Sequence, residues 1–211
     1  MPFAQELCQL LPADLPHREA CIAGAARHLR LIVEANEHFN LTRILDPREA
    51  AIKHVLDSVL PWRLFAGAKH IADAGSGAGF PGIPLALLMP DTQFTLLEST
   101  QKKAAFIVSA VEALDLKHVD ALADRAEAYL AVHAVDIVIA RAVAPLSRAL
   151  PLFAPALRKG ARVLLYKGPD AGNEILEARR EPKNTKWKMR VVFEYELPDG
   201  LGSRRIIEVT R

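Results

Sequence analysis

The chain is poor in several things, and each shortage excludes something. Only Cys8 and Cys21 of its 211 residues are cysteine. Without metal-ligand spacing, they read as free thiols of a reducing compartment and not as a disulfide framework. Charge of one sign is also scarce: 27 basic against 25 acidic residues leave a net +2. That excludes a polybasic coat, so any nucleic-acid binding must use a local patch. No apolar run approaches the roughly 20 residues that cross a bilayer. Residues 1–12 contain Glu6 and no basic leader, so no signal peptide is expected. His28, His38, His70, His118 and His133 lack metal-ligand spacing, and no metal is expected. There is no internal repeat and no low-complexity linker. The expectation is a cytoplasmic monomer with no membrane association.

What is there suffices for one large domain or a domain with an extension: 23.2 kDa, 51% hydrophobic. Residues 1–66 read as helical. Leu29, Ile32, Val33 and Asn36 follow helix spacing, as do Ile52, Val55, Leu56 and Val59. Asp46-Pro47 is an N-cap and first-turn pair for a helix running toward Leu60, ended by Pro61. From His70 strands and helices alternate. Strands are expected near 70–74, 92–98, 118–122, 135–141 and 161–167, and helices near 82–89, 101–114, 124–130, 145–158 and 172–180. Two strands near 187–196 and 203–210, joined by Leu197-Pro198-Asp199-Gly200, should pair antiparallel. Such alternation builds an α/β fold, a parallel sheet with helices on both faces and ligands beyond the carboxyl ends of its strands. The expected division is an N-terminal helical extension, 1–66, and a core, 67–211, as one compact unit.

The most informative stretch is Ile71-Ala72-Asp73-Ala74-Gly75-Ser76-Gly77-Ala78-Gly79-Phe80-Pro81-Gly82. A strand ends in an acid, glycines follow at alternate positions, and a helix begins. Glycine lets backbone approach a ligand closely and adopts positive φ freely. Two ligand classes fit. Gly77, Gly79 and Gly82 satisfy the dinucleotide spacing G-x-G-x-x-G, a weak signal alone. Asp73 would repel a pyrophosphate but suits a ligand carrying ammonium and sulfonium groups, and Asp-x-Gly-x-Gly-x-Gly resembles the first motif of S-adenosylmethionine-dependent methyltransferases. Glu98, 19 residues past Gly79 at the end of the next strand, stands where a carboxylate grips a ribose diol. It could equally serve as a helix N-terminal acid.

With Asn40-Leu41-Thr42, His54-Val55-Leu56-Asp57-Ser58, Gly75 to Gly82, Arg125-Ala126-Glu127, Ala140-Arg141-Ala142 and Tyr166-Lys167-Gly168 in order, the chain resembles the bacterial 16S ribosomal RNA (guanine-N7)-methyltransferases over nearly its whole length. The resemblance implies a class I, Rossmann-like S-adenosylmethionine-dependent methyltransferase sheet with a terminal antiparallel hairpin. It also implies methyl transfer to a guanine N7 of 16S ribosomal RNA, free or in the small ribosomal subunit. Cofactor contacts are expected from Asp73, Gly75, Gly77, Gly79, Phe80, Glu98, Ala126, Glu127 and Arg141. Many members carry Asp where this chain has Glu98. Guanine N7 has a free lone pair, so no general base is required, and Arg141 is expected to position rather than to exchange protons. Arg141 could instead pair with Glu127 or Asp73, and Asp124 could be a plain N-cap. His54 and Asp57, three apart on a helix face, could be a dyad or a packing contact. Lys102, Lys103, Arg148 and Lys167 are expected at the RNA-facing rim. The run Lys183, Lys186, Trp187, Lys188 and Arg190 is either a further RNA contact or a solvated face. The alternatives are a nicotinamide-dependent oxidoreductase and a non-catalytic RNA-binding assembly factor.

Overall fold

The computed structural model describes residues 2–142 and 144–211; Met1, with which the expected extension begins, and Val143 lie outside the described residues. Strands β1 (His70–Ala74), β2 (Gln93–Leu97), β3 (Val119–Leu122), β4 (Ile137–Arg141) and β5 (Arg162–Lys167) run parallel. Strand β6 (Lys188–Glu196) pairs antiparallel with β7 (Ser203–Thr210), and β7 pairs antiparallel with β5. Among the described residues they form one sheet in the order β3-β2-β1-β4-β5-β7-β6. Each strand begins and ends within two residues of its expected position.

The inner strands are apolar on both faces because helices cover both. Period-two alternation divides them between two cores. Ile71, Ile137, Ile139 and Leu164 belong to one, packed by helices α1 (Pro2–Leu10), α2 (Arg18–Asn36), α5 (Gly82–Leu88) and α6 (Gln101–Ala113). Ala72, Val138, Val163 and Leu165 belong to the other, under α7 (Ala126–Val132), α8 (Leu146–Arg158) and α9 (Ala171–Arg180). Helix α7 starts two residues later than expected, and its N-cap is Arg125; Asp124 instead accepts from the Arg125 amide at 2.7 Å. The plain N-cap reading of Asp124 therefore falls.

Helices precede β1 as expected. Helix α2 approaches α5 so closely that a Cβ on Gly24 would sit 2.4 Å from a Leu87 methyl. Helix α3 (Pro47–Ala50) continues through a π-helical turn, Ala51–Leu56, into α4 (Asp57–Val59). A π turn shifts the phase of the residues that follow it, which here are Asp57 and Ser58. Asp46 caps α3, accepting from the Glu49 amide at 2.9 Å, beside Pro47 in the first turn. Asp46→Ala should lower stability by about 1 kcal/mol, read as a urea midpoint shift at constant slope. Arg48 then bridges Glu6 of α1 at 2.9 Å and Asp199 of the β6–β7 connection. Cys8 and Cys21 are free thiols, and burial pushes the Cys21 thiol up to about 12, so it stays protonated.

Candidate active site

The glycine loop leaves β1 at the carboxyl edge of the sheet. Gly75, Gly77 and Gly79 have φ of 77°, 60° and 95°, a region L side chains rarely adopt. The loop is held from below at nearly every residue. The amides of Gly75 and Ser76 donate to the Leu97 carbonyl at 2.8 and 3.1 Å, and the Gly77 amide donates to Glu98 Oε2 at 3.0 Å. His28 Nε2 bonds the Ala78 carbonyl at 2.8 Å, and Asp73 Oδ2 accepts from the Gly82 amide at 2.9 Å. The glycines divide in purpose. A Cβ on Gly75 or Gly77 would meet nothing within 4 Å, so these two face open space; one on Gly79 would strike Ile83 at 2.6 Å. One on Gly82 would lie 2.2 Å from a Leu96 methyl and 2.8 Å from Asp73 Oδ2. The first pair permits close approach of a ligand, the second pair close packing of α5 on β1 and β2.

Two clefts open beside this loop. The first, about 480 Å³, is lined by Gly75, Leu97, Asp124, Arg125, Ala126 and Glu127 among others. Carboxylates dominate its charge: Asp124, Glu127 and the adjoining Glu98 against the single lining guanidinium, Arg125, 3.6 Å from Glu127. Glu98 holds the Gly77 amide with one oxygen and the Thr100 amide with the other at 2.7 Å, joining the end of β2 to the loop. Through Thr100, the N-cap residue of α6, it also stands as an acid at that helix's N-terminus. Asp73 is fully buried, and its Oδ1 has no hydrogen-bond partner. Burial pushes its carboxyl up to about 7, against the pull of the Gly82 amide.

The second cleft, about 750 Å³, is lined by Lys53, His54, Asp57, Arg141, Tyr166, Lys167 and Arg204 among others. Behind His54 in its wall lies an aromatic stack. The Phe80 ring lies 4.8 Å from His28 and 4.6 Å from His54, and the Arg141 guanidinium sits 5.4 Å above it. Burial holds His54 down to about 3, helped by the nearby cation Arg141, and holds His28 down to about 4. His54 Nε2 bonds Thr42 Oγ1 at 3.1 Å and its Nδ1 has no partner, so His54 and Asp57 form no dyad. His54 is a packing residue.

Arg141 does sit at the end of β4 between the loop and the second cleft, but its ion-pair partner is neither Glu127 nor Asp73. Its Nη1 donates to Asp57 Oδ2 at 3.3 Å and to the Lys53 carbonyl at 2.7 Å. Phe80 is buried, its ring packed against His28, His54 and Arg141. Lys102 and Arg148 are exposed and Lys103 half-buried in the first turns of α6 and α8, at the same edge of the sheet. Lys167 is a correction. It lines the second cleft, but its side chain is 7% exposed and its ammonium is bound to Glu174 at 2.8 Å and the Ala144 carbonyl at 2.9 Å. It braces the wall instead of reaching out for a phosphate. Trp187 is likewise buried, with Lys186 4.9 Å above its ring, so that run presents only its cations. Sequence reasoning missed Arg204, Tyr195 and Lys53 in the second cleft and its surroundings. No local signal marks them, because each is brought in by pairing across long sequence separations.

A sheet of this strand order, with a glycine loop after its first strand and an antiparallel hairpin at one edge, defines the Rossmann-like methyltransferase class. Solved structures agree on the fold. The chain is similar to an O-methyltransferase from Bacillus cereus in complex with SAH, with TM-score 0.59, 18% identity, and coverage of 87% of this chain and 90% of that one. It is similar also to a precorrin-6y C5,15-methyltransferase from Geobacter metallireducens, with TM-score 0.58, 14% identity, and coverage of 83% and 96%. The chain belongs to the GidB family, rRNA small subunit methyltransferase G, whose model matches residues 22–199. It is 66% identical over 209 residues to the ribosomal RNA small subunit methyltransferase G of Solibacter usitatus, covering 99% of this chain and all of that one. It is 35% identical over 187 residues to that of Carboxydothermus hydrogenoformans, covering 86% and 79%. Family membership decides what the glycine spacing left open: the loop is that of a methyltransferase, and the dinucleotide and non-catalytic alternatives fall.

Proposed function

We propose that this chain transfers the methyl group of S-adenosylmethionine to N7 of a guanine in 16S ribosomal RNA. The observation that carries the reading is the placement of Arg141, over Phe80 of the glycine loop and in the wall of a second, cation-lined cleft. The first cleft fits the nucleoside part of the ligand. Gly75 and Gly77 let it lie against the backbone, Glu98 accepts from ribose hydroxyls, and Ala126 with Glu127 brackets the adenine. The carboxylate-rich lining suits a cationic ligand and disfavours a pyrophosphate. Asp73, Gly79 and Phe80 act from below by shaping the loop.

When bound, S-adenosylmethionine supplies an electrophilic methyl. The guanine N7 lone pair forms the new bond to carbon while the carbon–sulfur pair leaves with sulfur, so no proton has to move first. The protein's part is alignment and exclusion of water. Arg141 donates to the target base, at O6, and fixes it in line. Lys102, Lys103 and Arg148 meet RNA phosphates at the rim. We read residues 1–66 as a helical extension on a 67–211 core, together one compact cytoplasmic monomer. Among the described residues, no helix is long and apolar enough to cross a membrane.

Methyl incorporation from labelled S-adenosylmethionine, mapped to N7-methylguanosine in 16S RNA, tests the reading. Glu98→Ala should weaken S-adenosylmethionine binding about tenfold, and Arg141→Ala should lower methyl transfer about tenfold or more, each by loss of a charge-assisted hydrogen bond. Calorimetry should show binding of S-adenosylmethionine and none of NAD. Wild-type affinity and rate in Arg141→Ala would remove Arg141 from the mechanism.

A further inference from the structure

The Asp57 carboxylate is 2% exposed and is reached by side chains from three different strands. Tyr195 of β6 donates to Oδ1 at 2.8 Å, Arg204 of β7 lies 3.4 Å from the same oxygen, and Arg141 of β4 lies 3.3 Å from Oδ2. Adjacent backbone is engaged as well. The Asp57 carbonyl, 2.9 Å from the Tyr195 hydroxyl, shares its one proton with Oδ1, and the Ser58 carbonyl accepts from Tyr166 of β5 at 2.8 Å. The π turn at 51–56 delivers Asp57 to this junction and turns the Lys53 carbonyl onto Arg141. One carboxylate thus serves two guanidiniums, and both line the second cleft.

A residue that merely stapled the hairpin to the N-terminal helices would be satisfied by Tyr195 and Arg204. The engagement of Arg141 is additional and directional. Both of these hydrogen bonds use Nη1, and the same arginine lines the second cleft. An arginine side chain held this way has lost its rotamer freedom before RNA arrives, so less ordering remains to be done on binding.

We propose that Asp57 is a positioning residue for methyl transfer: it holds Arg141 by Nη1 so that the remaining donors of the guanidinium face the target nucleotide. The proposal rests on the reading of Arg141 given above. Asp57 touches neither the base nor the methyl donor and acts through Arg141 alone.

Steady-state methylation at saturating S-adenosylmethionine and 16S RNA tests it, using Asp57→Asn, Arg141→Ala, the double variant and Tyr195→Phe. Asp57→Asn should lower kcat about tenfold, with the KM for S-adenosylmethionine held within about threefold. In the Arg141→Ala background the same change should lower kcat less than about threefold, because what Asp57 positions is already gone. Tyr195→Phe removes a bond to the same carboxylate; it should lower the melting temperature and leave kcat within about twofold. Equal losses from Asp57→Asn in both backgrounds, or an unchanged kcat, overturn the proposal while leaving Arg141 in place. An Arg141→Ala enzyme of wild-type rate overturns the Arg141 reading, and the proposal with it. If Asp57→Asn does not fold, the guanidinium NMR spectrum of the wild-type protein decides. Separately resolved Nη signals, assigned to Arg141 by their loss in Arg141→Lys, support a held fork. A single averaged signal overturns it.

Discussion

Replacing Phe80 by alanine should lower folding stability by about 3–5 kcal/mol, the range for a large buried aromatic ring. The ring is 4% exposed and stands between two buried imidazoles beneath the glycine loop. Its loss would open a cavity whose walls are His28 and His54, both kept neutral by burial, with pKa values near 4 and 3. Water entering that cavity should let both titrate closer to the ordinary imidazole range, visible in an NMR titration. S-adenosylmethionine affinity should fall as well, because the loop would lose its floor while keeping its hydrogen bonds to Leu97 and Glu98. Urea unfolding at constant slope measures the first effect. A loss under about 1 kcal/mol would contradict the packing described for the ring.

The second large effect is a pH dependence of ligand binding set by Asp73. Burial raises its carboxyl in the folded protein to about 7, from the ordinary aspartate value of 3.8. Between those values the native state holds a proton that the unfolded chain has released. This residue's contribution to stability is therefore most favourable at low pH and declines as pH rises through about 7. A cationic ligand seated above the loop in the first cleft favours the ionised form through space, so its binding promotes loss of that proton. The affinity for S-adenosylmethionine should accordingly rise with pH below about 7 and level off above it. Calorimetry in buffers of different ionisation enthalpy would report the released proton directly. Asp73→Asn should flatten the profile, and a flat wild-type profile would mean that Asp73 does not titrate on binding.

Much of this molecule was legible from residues alone, for reasons that are local. Strands β1, β2, β4 and β5 declare themselves as short apolar runs, and Leu197-Pro198-Asp199-Gly200 marks the turn between β6 and β7. The glycine loop and Glu98 meet as their spacing implied, 21 residues apart and joined by a hydrogen bond. What escaped was pairing at a distance. Arg141 finds its carboxylate 84 residues away on a helix, not on a neighbouring loop. Nothing in Ala51 to Leu56 distinguishes a π turn from an α-helix, because the same apolar spacing serves both. Lys167 sits beside Gly168 at a strand end, where an exposed cation is the natural expectation. Only the fold of α9 brings Glu174 back to cover it. Electrostatic partners are decided by topology, and a linear pattern carries little of that.

The order β5-β7-β6 has a consequence for the birth of the enzyme. Strand β7 is synthesised after β6 yet separates it from β5. When β6 leaves the ribosome, the neighbour it will pair with has not yet been made, and the edge of β5 stands open. Insertion of β7 closes both edges together and carries in Arg204, while β6 brings Tyr195. The glycine loop draws its hydrogen bonds from β1 and β2, whereas the second cleft gains Arg204 only once β7 is in place.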